Sequence, residues 1–230
     1  MTAEIIAIPR AALHEHAAVR LREMIVEGRI APGAKLNERA LCEQLDVSRT
    51  PLREAIKMLA AEGLVELVPN RGAIAVELGE DAVRHTFEVM AGLEALSGEL
   101  AAQRITDAEL AEIRAMHYEM LAAYTRRDLS NYYRLNSRIH RAINAAAKNP
   151  VLTATYDRVN ARLQALRFRS NQDGDKWQAA MKEHEQMIDA LATRDAASMR
   201  AVLTAHLAHK LAAVLELMRA ETRKKGGARP

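Results

Sequence analysis

The stretch Val47-Ser48-Arg49-Thr50-Pro51-Leu52-Arg53-Glu54-Ala55-Ile56-Lys57-Met58-Leu59 separates apolar from cationic residues at helical spacing. Leu52, Ile56 and Leu59 repeat every three or four residues and share one face. Arg49, Arg53 and Lys57 recur every four residues and share another. Ser48 is placed as the N-cap, where its hydroxyl can accept from an orphan N–H. Pro51 lies in the first turn, where a missing N–H costs little, and Gly63 is placed as the C-terminal stop. The spacing predicts a helix fixed to a core by one side and cationic on the other.

Upstream, Ala11 to Gly28 reads as a helix with Ala18, Leu21, Ile25 and Val26 on one face. Ile30-Ala31-Pro32-Gly33 breaks it. Asn37 is the expected cap of a short helix through Leu45, with Leu41 and Leu45 inward, and Asp46-Val47 forms the turn into the cationic helix. Cys42, on that short helix, is expected to face the core. Downstream the period changes. Leu64 to Val68 and Ala73 to Val76 read as strands around Pro69-Asn70-Arg71-Gly72, a β-hairpin and the one convincing strand pair of the sequence.

Two short helices joined by a tight turn and followed by a hairpin have the geometry of a winged helix-turn-helix. Its second helix would enter the major groove. Arg49, Arg53 and Lys57 would face the duplex, since the arginine fork grips guanine or phosphate. Ser48 and Thr50 can bond phosphates at the helix N-terminus, and Arg71 at the hairpin tip can reach the backbone or minor groove. Charge spacing alone favours a solvated face; the turn, cap, Pro51 and hairpin together favour DNA.

Past Gly79-Glu80-Asp81 everything reads as helix. Six helices are expected near 80–104, 106–127, 129–147, 149–171, 175–193 and 195–222, with Thr106, Ser130 and Asp195 as caps and Pro150 opening the fourth. The fold class is therefore mainly α: a winged helix-turn-helix over 11–78 and an all-α six-helix bundle over 79–222, between a loose leader (1–10) and a loose tail (223–230).

Composition agrees. Aromatics are 3% of the chain while Ala and Leu dominate, which favours helix over strand. The net charge of +3 does not locate a DNA site, because residues 1–78 carry ten Lys and Arg against eleven Asp and Glu. Cys42 is the single cysteine, so no intrachain disulfide is possible, as suits a reducing cytoplasm. The N-terminus shows no signal pattern, and uninterrupted apolar runs such as Leu211 to Leu215 are too short to cross a bilayer. A cytoplasmic protein with no membrane partner is expected.

The bundle carries histidines on inward-looking stripes. His140 follows Asn136 by four residues, His184 sits with Met181, Met187 and Ile188, and His206 sits with Val202, Leu203 and Leu207. Three such rings from three helices either converge on one metal ion or are separately buried and hydrogen-bonded. His14, His16, His85, His117 and His209 are expected at the surface or at caps.

The segments Ile25 to Gly33, Leu36 to Arg39, Val47 to Ala55, Glu62 to Val65 and Pro69 to Ala73, in this order and spacing, resemble the GntR family of bacterial regulators over residues 18–77. The resemblance implies operator contacts from Arg39, Ser48, Arg49, Arg53 and Gly72. Leu135 to Ile143, Asn149 to Leu152, Glu183 to Leu191 and Ala205 to Leu207 resemble the FCD effector domain of the FadR subfamily, and six helices resemble its VanR-like branch. That implies a homodimer on a near-palindromic operator, with repression the family habit. It also implies a zinc or nickel ion on Asn136, His140, His184 and His206, and a small carboxylate effector. Two positions depart from the pattern. Asn136 stands where the family has Asp and brings no charge. Met90 stands where relatives have the Arg that holds the effector, which leaves Arg134, Arg138, Arg162 and Arg169 as candidate anchors. A metal-dependent helical enzyme centred on the histidines, and a regulator for which the metal is itself the signal, remain as alternatives.

Overall fold

The computed structural model describes residues 10–170 and 175–226, so residues 1–9 of the expected leader and the end of the tail, 227–230, lie outside the described residues, while Arg10, expected in the leader, is helical. The chain divides into two compact units, Met1–Leu78 and Gly79–Pro230.

In the first unit, α1 (Arg10–Val26) packs on α3 (Arg49–Ala61), and α2 (Glu38–Leu45) packs on α3 as well. Ala18, Leu21 and Ile25 meet Leu52, Ala55, Ile56 and Leu59 in the core, all buried. Arg22 of α1 donates two hydrogen bonds to Glu62 at the end of α3, at 2.6 and 2.9 Å. Asn37 caps α2, its side chain accepting from the Arg39 and Ala40 N–H groups. Asp46 makes the turn with φ 51, a left-handed conformation that Asp tolerates better than most residues. Leu41 is buried, but Leu45 and Cys42 are only half-buried, so Cys42 does not close the core as expected. Ser48 occupies the N-cap position of α3 but makes no side-chain cap hydrogen bond. The expected cap is therefore a matter of position alone, and the hydroxyl stays uncommitted.

Strands β1 (Val65–Val68) and β2 (Gly72–Ala75) pair antiparallel, Val65 opposite Ala75 and Val68 opposite Gly72. Pro69 and Asn70 take the two central positions of the turn. Asn70 has φ 61 and the Arg71 N–H donates to the Val68 carbonyl at 3.0 Å, as a type II turn requires. The hairpin is not alone. The Gly33 and Leu36 N–H groups donate to the Ala75 and Ala73 carbonyls, and the Ala75 N–H donates to the Ala34 carbonyl. Residues 33–36 thus line the outer edge of β2, with Lys35 bridged to Ile74. A four-residue stretch after a Pro-Gly break has no strand periodicity to reveal it.

Among its described residues the second unit holds six helices: α4 (Glu80–Arg104), α5 (Asp107–Thr125), α6 (Leu129–Ala146), α7 (Pro150–Ser170), α8 (Asp175–Ala192) and α9 (Ala196–Gly226). α4 is central, packing on α6, α7, α8 and most extensively on α9. The close approach of α4 and α9 depends on Gly98: a Cβ there would lie 2.3 Å from Leu203 and 2.8 Å from Met199. Thr106 and Glu109 form a full capping box on α5. Asp195 accepts from the Ser198 N–H at 3.0 Å. Asp128 caps α6 in place of the expected Ser130, which lies inside the first turn; Asp128 accepts from the Asn131 N–H and side chain.

One expectation fails on α9. The helix runs to Gly226, so residues 223–226 are helical rather than loose tail. Residues Ala196–Arg223 also contain an 18-residue window of mean hydropathy 1.3, long and apolar enough to cross a membrane by length and composition. The uninterrupted apolar runs along it stay short, as expected, because Thr204, His206, His209 and Lys210 break them. The helix nevertheless belongs to the bundle, burying Met199, Leu203, Leu207, Val214 and Leu215.

Candidate DNA-binding face and candidate metal centre

The apolar stripe of α3 is taken up by the core, which turns its other face outward. Ser48, Arg49, Thr50, Arg53 and Lys57 are all exposed. Their ion pairs are loose ones at the surface: Arg53 to Glu38 at 3.0 Å and Lys57 to Glu54 at 2.8 Å. Such pairs contribute about 0–1 kcal/mol each and exchange readily for phosphate. Arg49 has no ion pair among the described residues. With Ser48 not capping, the Arg49 and Thr50 N–H groups at the start of α3 also stay open to an anion.

Arg39, Arg71 and Gly72 come together elsewhere in the same unit. They line a groove of about 610 Å³ between the start of α2 and the hairpin tip. Lys35 lines it too, carried there by the 33–36 edge segment, and sequence reading missed it. Glu38 connects the two groups, since it lines this groove and also pairs with Arg53.

In the second unit, α6, α8 and α9 bring His140, His184 and His206 together, each with a possible ligand atom within 4.8 Å of the others. All three are buried. The ring centroids are 5.1, 5.1 and 5.4 Å apart. Three imidazoles on one tetrahedral zinc, at Zn–N of about 2.1 Å, would place their centroids about 5 Å apart, so the rings fit such an ion. Both nitrogens of His184 are buried without a hydrogen-bond partner, as a waiting ligand would be. Burial pushes the His184 ring well below its ordinary pKa and also lowers His206, although Glu183 beside His206 opposes the latter shift. Neutral rings are what a metal requires. Asn136, one turn before His140, is half-buried.

His117 is not the surface residue expected. It is buried, stacked at 6.3 Å on His184, and burial lowers its pKa. The four expected effector anchors do not converge on the histidines either. Arg134, Arg138 and Arg162 are exposed, and Arg169 is held by Glu221 at 3.1 Å. Among the described residues of this unit the buried arginine is Arg167, which donates to Asn160 at 2.9 Å and to Glu94 Oε1 at 3.1 Å. Glu94 Oε2 in turn lies 2.9 Å from His140 Nδ1. Burial works to raise the Glu94 carboxyl, but His140 and Arg167 outweigh it and hold the group at about 2.

Sequence reading passed over Glu94 and Arg167. The available signal was a charge inside an apolar stripe: Val83, Phe87, Met90, Glu94 on α4, and Tyr156, Asn160, Leu163, Arg167 on α7. A cleft of about 250 Å³ adjoins the cluster at His206, lined also by Tyr132, Ser170, Glu183, His209, Lys210 and Glu216 among others.

A helix-turn-helix with a hairpin wing, joined to a helical unit with a buried polar centre, defines a ligand-binding class of DNA-binding regulator. Known proteins agree with that class. The model of bacterial regulatory proteins of the gntR family matches residues 13–74, and the FCD domain model matches residues 85–209. The chain belongs to the GntR family and carries an FCD domain; proteins of this family are non-enzymatic DNA-binding regulators, which removes the enzyme alternative. It is similar to the Nta operon transcriptional regulator of Aminobacter aminovorans, 30% identical over 85% of this chain and 91% of the relative. It is also similar to the HTH-type transcriptional repressor RspR of Escherichia coli (strain K12), 26% identical over 81% of this chain and 82% of the relative. The galactonate operon transcriptional repressor of the same organism is 28% identical over 81% and 90%. Among solved structures, E. coli McbR/YncC shares the fold with a TM-score of 0.81 at 21% identity, covering 90% of this chain and 98% of that one.

Proposed function

We propose that the chain is a cytoplasmic, ligand-responsive repressor of the VanR-like branch that binds a near-palindromic operator as a homodimer. The observation that carries this is the exposed row Arg49, Arg53 and Lys57 on a helix whose opposite face is buried. Ser48 and Thr50 bond phosphates beside the α3 N-terminus, while Arg39, Arg71 and Gly72 meet the backbone from the wing groove. Two relatives named as repressors support the sign of regulation.

His140, His184 and His206, with the Asn136 amide, would hold a divalent ion, zinc or nickel. When bound, the ion supplies a positive charge that a carboxylate effector can ligate. The adjoining cleft, with Lys210 and His209 in its lining, suits a small organic acid, and one relative is named for an operon of galactonate, a carboxylate. Arg134, Arg138 and Arg162 keep no part in that cleft. Effector binding favours one dimer geometry and so changes operator affinity.

The test is selection of duplex sites from a random DNA pool, followed by titration of the selected duplex. Replacing Arg49 or Arg53 by Ala should cost about 1–3 kcal/mol if either reads a base. No enriched site, or undiminished binding by both variants, sinks the reading. Titrating metal alone against metal with organic acids separates a metal cofactor from a metal signal.

A further inference from the structure

Two of the three clustered histidines rest against carboxylates from other parts of the bundle. His206 Nδ1 and Glu183 Oε2 are 2.6 Å apart in a hydrogen bond between α9 and α8. His140 Nδ1 and Glu94 Oε2 are 2.9 Å apart between α6 and α4, close but off the line of a hydrogen bond.

An imidazole has two nitrogens, and the bond made by one decides what the other can do. When Nδ1 carries the proton and donates it to a carboxylate, Nε2 keeps a bare lone pair. That is the form a metal needs, and the carboxylate also makes the ring a stronger donor. The charge arithmetic points the same way. Three neutral imidazoles and the Asn136 amide would leave a divalent ion buried without a counter-charge, which is costly. Glu94 already balances Arg167. Glu183 instead extends to two imidazoles, His206 and the exposed His209 at 2.5 Å, and is itself only partly buried.

We propose that Glu183 and Glu94 are positioning residues of the metal centre, holding His206 and His140 with Nδ1 protonated and Nε2 directed at the shared point. Glu183 also supplies the negative charge that Asn136 lacks. Glu94 orients His140 while Arg167 neutralises it. His184, with neither nitrogen bonded, is the ring whose tautomer the ion itself would set. This rests on the metal reading above.

The test compares wild type with Glu183→Gln, using long-range proton–nitrogen NMR of the imidazoles in chelator-treated full-length protein, then zinc titration against a chromophoric chelator. In wild type, His206 should show a protonated Nδ1, and Glu183→Gln should weaken that preference, since an amide accepts less strongly and can also donate to a bare Nδ1. Zinc affinity should fall about 10–100-fold, and Glu183→Asp should restore part of it. The cobalt absorption spectrum should shift in Glu183→Gln. An unchanged His206 tautomer with zinc affinity within about twofold of wild type overturns the positioning role alone. Wild type that binds neither zinc nor cobalt overturns the metal reading as well. Glu183 is the position to vary, because Glu94→Gln would also strip Arg167 of its counter-charge and disturb the fold.

Discussion

The cations of α3 and the polar groups of the bundle sit in opposite environments. Arg53 and Lys57 point into water and pair with neighbours that water also reaches. Arg167 and Glu94 are buried against each other, and His184 is buried with no partner. The same residue types are nearly free to lose in one region and expensive to lose in the other. A surface charge is replaceable because solvent takes over its role. A buried charge is held by a particular set of atoms, and removing one strands the rest.

The largest expected effect lies in the buried region. Arg167→Ala leaves the buried Glu94 carboxylate without its guanidinium and should destabilise the protein by about 3–5 kcal/mol, read as a drop in the urea midpoint. A loss below about 1 kcal/mol would mean the pair is not buried in solution. Gly98→Val forces a side chain into Leu203 and Met199 where α4 and α9 touch. It should cost about 1–3 kcal/mol by overpacking, and an unaltered thermal midpoint would contradict the close approach.

His184 supplies a pH test. Its folded-state pKa lies well below the ordinary 6.5 because burial disfavours the charged ring. The unfolded chain therefore takes up a proton that the folded chain refuses. The ring's contribution is intact above about pH 6.5 and is lost at about 1.4 kcal/mol per pH unit as the pH falls below that value. The urea midpoint of chelator-treated protein should drop between pH 7.5 and 5.5 and drop less in His184→Asn; a flat profile in wild type contradicts the burial. At the other extreme, Arg53→Ala should move stability by no more than about 0.5 kcal/mol while weakening operator binding. Joint loss of both would show that Arg53 holds the fold rather than the duplex.

The same contrast decides what sequence could reveal. The α3 face was legible because its residues share one helix, and spacing along a helix is direct evidence of facing. Asn37, Thr106 and Asp195 were legible as caps for the same local reason. The convergence of His140, His184 and His206 was only one of two open readings, since nothing local relates three separate helices. Arg167 and Glu94 each carried a local signal, a charge inside an apolar stripe, but nothing local paired them across 73 residues. Ser130 lost the cap of α6 to Asp128, two residues earlier, where either side chain could have served. Lys35 reaches the wing groove through backbone pairing that no side-chain pattern announces.

That backbone pairing has a consequence for trimmed versions of the protein. Residues 33–36 sheath the outer edge of β2, the second strand of a two-strand ribbon. A shortened polypeptide starting at Asn37 would lose α1 together with this cover, baring the apolar face of α3 as well as the amide edge of β2. Apolar faces and open strand edges both recruit one another, so such a fragment should clump even though every residue proposed to touch DNA is still present.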